Sequence, residues 1–80
     1  MASLYSDEYE ALIEKVIDAR KLAGITQVEL AKALGRPQSF ISKYEAGERR
    51  LDPVEYIKIM LVLGADPLQA LASFVKGKRS

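Results

Sequence analysis

Four polar side chains, Gln38, Ser39, Ser42 and Lys43, are spaced so that a helix would carry them on one stripe. Their hydrogen-bonding groups suit the edges of DNA bases. A glutamine amide pairs bidentately with adenine, a lysine ammonium donates to guanine, and a serine hydroxyl takes either role. Taken singly, each of these residues would merely be solvated, so the stripe gains meaning only from its surroundings.

Other chemistries find little support. The 80 residues include no cysteine and no histidine. That removes disulfides, thiolate metal sites and the one side chain that titrates near neutrality without help. Asp7, Glu8 and Glu10 read as charge at the start of a helix, where the macrodipole favours it, and not as paired catalytic acids. The chain is read as a non-enzyme with no cofactor, metal or small-molecule substrate. Net charge is +1 but unevenly spread: residues 1–18 carry −4, residues 19–50 carry +4, residues 51–75 carry −2, and Lys76, Lys78 and Arg79 add +3. A basic middle suits a polyanion-binding face, although a scattered, solvated surface accounts for the same numbers. Residues 1–10 have no basic stretch leading into an apolar run, as a signal peptide would. The nearly apolar run from Ile59 to Ala65 is too short to span a bilayer. A cytoplasmic location, with no membrane contact, is expected.

The elements that must position the stripe are marked by helix starts and stops. Ser6 caps a first helix in which Tyr9, Leu12, Ile13, Val16, Ile17 and Ala23 recur at helical spacing, and Gly24 ends it. Thr26 and Glu29 form a capping box for a helix from Gln27 to Leu34, closed by Gly35. Pro37 suits the first turn of a third helix, which runs to about Ala46 before Gly47. Phe40, Ile41 and Tyr44 share its inward spacing. Asp52 with Glu55, and Asp66 with Gln69, mark two further capping boxes, the fourth helix ending at Gly64 and the fifth near Phe74 or Val75. No strand-like alternation occurs. The expected fold is all-α: one compact five-helix domain over residues 1–80, with a solvated basic tail over about 76–80. Its expected core joins Leu12, Val16, Leu30, Leu34, Ile41, Val54, Ile57 and Leu61. Helices two and three are short and joined by Gly35-Arg36. Ala31, Gly35 and Ile41 supply the small residue, turn glycine and buried aliphatic of a helix-turn-helix over about residues 26–46.

The run from Arg20 through Gly24-Ile25-Thr26-Gln27 to Gly35, followed in register by Gln38 to Gly47, closely resembles the phage repressor and Cro-like helix-turn-helix family, or xenobiotic-response-element family. With the fourth helix and Leu63-Gly64, the resemblance covers roughly residues 12–75. It implies a lambda-repressor-like fold, sequence-specific binding to double-stranded DNA and a role in transcription regulation, most simply as a repressor. By resemblance, Gln38, Ser39, Ser42 and Lys43 face the bases from the recognition helix, and Gln27, Arg36, Arg49 and Arg50 contact phosphates. Arg20 and Glu45 match a structural salt bridge between helices one and three. Two departures stand out: Arg36-Pro37 replaces small polar residues before the recognition helix, and Leu51-Asp52-Pro53 varies a usually basic loop.

A homodimer on a palindromic operator is expected, because the helix over residues 54–63 is apolar around most of its circumference. Its interface is assigned to Ile59, Met60, Leu63, Leu71 and Phe74. Two other readings are an antitoxin or controller whose domain also binds a partner protein, and a helical protein-interaction module without DNA binding.

Overall fold

The computed structural model describes residues 6–78, with side chains as far as Ala72. Five helices follow in order: α1 (Asp7–Leu22), α2 (Gln27–Leu34), α3 (Gln38–Glu45), α4 (Pro53–Val62) and α5 (Pro67–Lys78). Their starts are made by side chains that satisfy otherwise unpaired first-turn N–H groups. Ser6 Oγ accepts from the Tyr9 N–H at 3.1 Å. Thr26 Oγ1 accepts from the Glu29 N–H at 3.1 Å, while the Thr26 N–H donates to Glu29 Oε1 at 2.9 Å. The same reciprocal box joins Asp52 and Glu55 at 2.7 and 3.0 Å. At α5, Asp66 Oδ1 accepts from the N–H groups of both Leu68 and Gln69. Caps of this kind contribute about 1 kcal/mol each.

The recognition helix is started differently. The expectation of Pro37 in its first turn is corrected by one position: Pro37 is the N-cap, extended at ψ 153°, and makes no side-chain cap. The preceding turn sets the direction instead. Gly35 takes φ +68°, a left-handed conformation that costs glycine nothing. The Arg36 N–H then reaches back to the Ala31 carbonyl at 3.0 Å. Ala31 and Ile41, on either side of this turn, are both buried.

One apolar cluster takes Ile13 and Val16 from α1, Leu30 and Ala31 from α2, Phe40, Ile41 and Tyr44 from α3, and Tyr56, Ile59 and Met60 from α4. Leu12 and Leu34 pack at its edge. The expected contribution of α4 is wrong in phase. Val54, Ile57 and Leu61 are 59%, 43% and 63% exposed, whereas Ile59, Met60 and Leu63 are 1%, 3% and 8% exposed. A helix that is apolar nearly all round is oriented by what it packs against and not by its own pattern. In the observed phase Glu55 caps α4 and binds arginines, Tyr56 and Ile59 face the core, and an apolar stripe is left outside. Ile59, Met60 and Leu63 therefore cannot form a dimer interface, because the chain's own core already covers them. Leu71 is half-buried against the same cluster, and the side chain of Phe74 lies outside the described residues.

Ile59→Ala is expected to lower folding stability by roughly 2–5 kcal/mol, and Leu61→Ala by about 0.5 kcal/mol or less. Denaturant midpoints of dilute protein measure both. The opposite order would return Leu61 to the core.

Candidate nucleic-acid interface

A ladder of four side chains runs from the core to the tip of α3. At its base, Arg20 Nε donates to Glu45 Oε2 at 2.7 Å and Arg20 Nη2 to Glu45 Oε1 at 3.0 Å. The two side chains are 12% and 9% exposed. Arg20 Nη1 also donates to the Ile25 carbonyl at 2.9 Å. Its pKa is raised, chiefly by the hydrogen bonds to Glu45, which outweigh the opposing effect of burial. Next, Gln27 Nε2 donates to Glu45 Oε1 at 2.9 Å. Finally, Gln38 Nε2 donates to Gln27 Oε1 at 3.4 Å. The sequence placed Arg20 with Glu45 and set Gln27 and Gln38 apart by role; the fold joins all four.

Along the same helix, Gln38, Ser39 and Lys43 are exposed. Ser42 is half-buried, and its hydroxyl donates to the Ser39 carbonyl at 3.3 Å. Ser39 and Lys43 line a shallow cleft with Arg36, Pro37, Phe40 and Arg49. The three flanking arginines do not converge. Arg36 and Arg49 lie over the Phe40 ring, 4.1 and 4.8 Å from its centroid. Arg50 lies over the Tyr9 ring of α1 at 4.6 Å.

Glu55 was legible only as a capping residue, yet it is the hub of this flank. Arg49 Nη1 and Nη2 donate to its two oxygens, each at 2.9 Å. Arg36 Nη2 approaches Oε2 at 3.5 Å. The hydrogen bonds from Arg49, more than any other cause, hold the Glu55 pKa down to about 2, against the opposing effect of burial. The sequence signal was present: an acid three residues after Asp52 and six after Arg49. Phe40, read only as core, is 6% exposed and also serves as the platform under two guanidinium groups. Beneath it, the Tyr44 ring meets Phe40 edge-on at 5.5 Å. The Tyr44 hydroxyl is buried without a partner among the described residues. Burial pushes its pKa up.

A short helix crossing a second at a glycine turn, with its outer stripe polar and its flanks cationic, defines a helix-turn-helix domain. The helix-turn-helix family model matches residues 16–69. Among solved structures, an XRE-family like protein from Pseudomonas syringae pv. tomato str. DC3000 is 46% identical, with a TM-score of 0.85 over 89% of this chain and 87% of that one. No curated protein matches. The chain belongs to the XRE family of helix-turn-helix proteins, which are DNA-binding transcription regulators. No described helix is long and apolar enough to cross a membrane.

Arg20→Ala leaves Glu45 partly buried without its ion-pair partner. Stability should fall by roughly 3–5 kcal/mol, measured by thermal or denaturant melts. A loss below about 1 kcal/mol would put the pair in the class of exposed ones.

Proposed function

We propose that the chain represses transcription by seating α3 in the major groove of a palindromic operator as a homodimer. The observation that carries the reading is the ladder ending at Gln38. A glutamine amide has two N–H donors and one carbonyl oxygen. Gln27 accepts one of the donors. One N–H and the carbonyl remain, which is the pair that adenine N7 and N6 require. Gln38 is thus tethered at the exposed start of the helix with one N–H and its carbonyl unspent. Ser39, Ser42 and Lys43 extend the readable stripe. Gln27, Arg36, Arg49 and Arg50 supply phosphate contacts, which fix register without reading sequence. Cytoplasmic action follows from this role.

A single short recognition helix reads few bases, so two copies related by a two-fold axis and set about 34 Å apart make the working unit. The exposed stripe Val54, Ile57, Leu61 and Val62 on α4, with Leu68 also exposed on α5, supports a second copy as the partner. Lys58 is the one charged residue on that outer face of α4. An apolar stripe this wide exceeds what a surface helix ordinarily shows to water.

Gln38→Ala should cost roughly 1–3 kcal/mol on a site selected from a random duplex pool, and little on random DNA. Equal losses on both would reduce Gln38 to a backbone contact.

Sedimentation equilibrium at micromolar concentration should show a dimer, and Leu61→Lys a folded monomer. A persistent 8.9 kDa species for the native chain would remove the homodimer. The α4 face would then point to a different protein partner, as in an antitoxin or controller.

A further inference from the structure

We infer that Glu55, an acid on the DNA-facing flank, is a positioning residue that presets Arg36 and Arg49 as a clamp for one backbone phosphate beside α3. The inference rests on the DNA-binding reading above and deepens it, because charge alone argues the other way. A carboxylate among cations should repel phosphate, and removing it should tighten binding to any DNA.

Hydrogen-bond accounting favours positioning. Glu55 Oε1 accepts from the Asp52 N–H and from Arg49 Nη1, and Oε2 accepts from Arg49 Nη2 and Arg36 Nη2. Those four bonds occupy the roughly four lone-pair sites of a carboxylate. With its oxygens fully engaged and its side chain 15% exposed, Glu55 has little left to present to an incoming phosphate.

The arginines, in contrast, keep donors in hand. A guanidinium carries five N–H groups. Arg49 spends its two Nη1 hydrogens on Glu55 and on the Arg50 carbonyl, and one Nη2 hydrogen on Glu55. The Nε hydrogen and the second Nη2 hydrogen remain. Together they form the other edge of the fork, the geometry that grips a phosphate with two parallel bonds. Arg36 spends a single hydrogen on Glu55. Its side chain and that of Arg49 are 41% and 38% exposed, so the unspent edges are accessible.

The clamp is also fixed to the reading helix. Both guanidinium groups lie over Phe40, a buried residue of α3 itself. Ser39 and Lys43, from the proposed reading stripe, line the same cleft. With Lys43 lining the same cleft, three bases stand against Glu55 and the nearby Asp52, so the cluster stays net positive. Held this way, the arginines lose less side-chain freedom on binding, and the gripped phosphate sets how α3 lies in the groove.

Glu55→Gln tests this, because glutamine retains an oxygen for the Asp52 N–H and so preserves the cap, while the double fork to Arg49 is lost. Binding would be measured on a duplex selected from a random pool and on random-sequence duplex, over a range of salt. Glu55→Gln should lower the preference for the selected duplex by about tenfold, with random-sequence binding kept or tightened. Arg49→Lys, which keeps the charge and the fold but removes the fork, should lose a similar preference. The double variant should lose no more than either alone. Tighter binding of Glu55→Gln to both duplexes in equal proportion would make Glu55 mere repulsion and overturn the clamp. Unchanged preference in Arg49→Lys would overturn it also, even if Glu55→Gln failed to fold. Absence of salt-dependent binding by the native chain would overturn the DNA reading itself, an outcome separate from both.

Discussion

Between α1 and the far end of α3 lies the contact on which the motif's geometry depends, the fork of Arg20 on Glu45. An ion pair in this setting is an uncertain source of stability, since desolvating two charges offsets much of their attraction. Its distinctive contribution is direction. A bidentate guanidinium–carboxylate pair works in one plane and at one separation, so α1 and α3 cannot slide or rotate without losing it. The same two groups reach further: Arg20 to the Ile25 carbonyl in the α1–α2 turn, and Glu45 to Gln27 at the first position of α2. Three helices are thereby referred to one contact. Gln38, two bonds further out, takes its orientation from it.

The sequence revealed most where structure is local. Ser6, Thr26, Asp52 and Asp66 each cap the helix they appeared to cap, and the short α2–α3 connection lies where Gly35 indicated. These features depend on a few neighbouring residues and on backbone sterics, so they can be read without knowing the fold. The phase of α4 depends on the whole fold and could not be read so. Between Val54 and Leu63 only Glu55 and Lys58 are charged, and an apolar period cannot orient a helix that is apolar nearly all round. Glu55 was legible only as the cap of α4, because its partners, Arg36 and Arg49, come from the turn before α3 and the loop after it. Ile59, Met60 and Leu63 were consequently assigned to a partner surface and Val54, Ile57 and Leu61 to the core, the reverse of their positions.

The candidate site was legible in composition more than in connection. The outward residues of α3 followed from spacing. That Gln27 holds Gln38, and that Phe40 lies under two arginines, did not follow, because those contacts join residues whose separation along the chain says nothing of their distance. Phe40 was also hidden by its double role. A ring that satisfies the core in a T-shaped contact with Tyr44 still offers π-surface to a cation. Burial and function are not alternatives at that position.

α3 is eight residues long, well below the length at which an isolated helix persists in water, and it has no side-chain cap. Its order must therefore come from packing. Phe40, Ile41 and Tyr44 occupy its inner face, and Tyr44 and Ile41 are among the most completely buried residues in the chain. The polar stripe is carried on the reverse of those same two turns. Any loosening of the core reaches Gln38 and Lys43 directly, because no intrinsic helix stability stands between them. The Tyr44 hydroxyl, buried without a partner among the described residues, ends an aromatic body that fills the space keeping the recognition helix in register. Stability and base reading draw on the same few side chains. A substitution beneath α3 should therefore be judged by its effect on sequence preference as well as on melting.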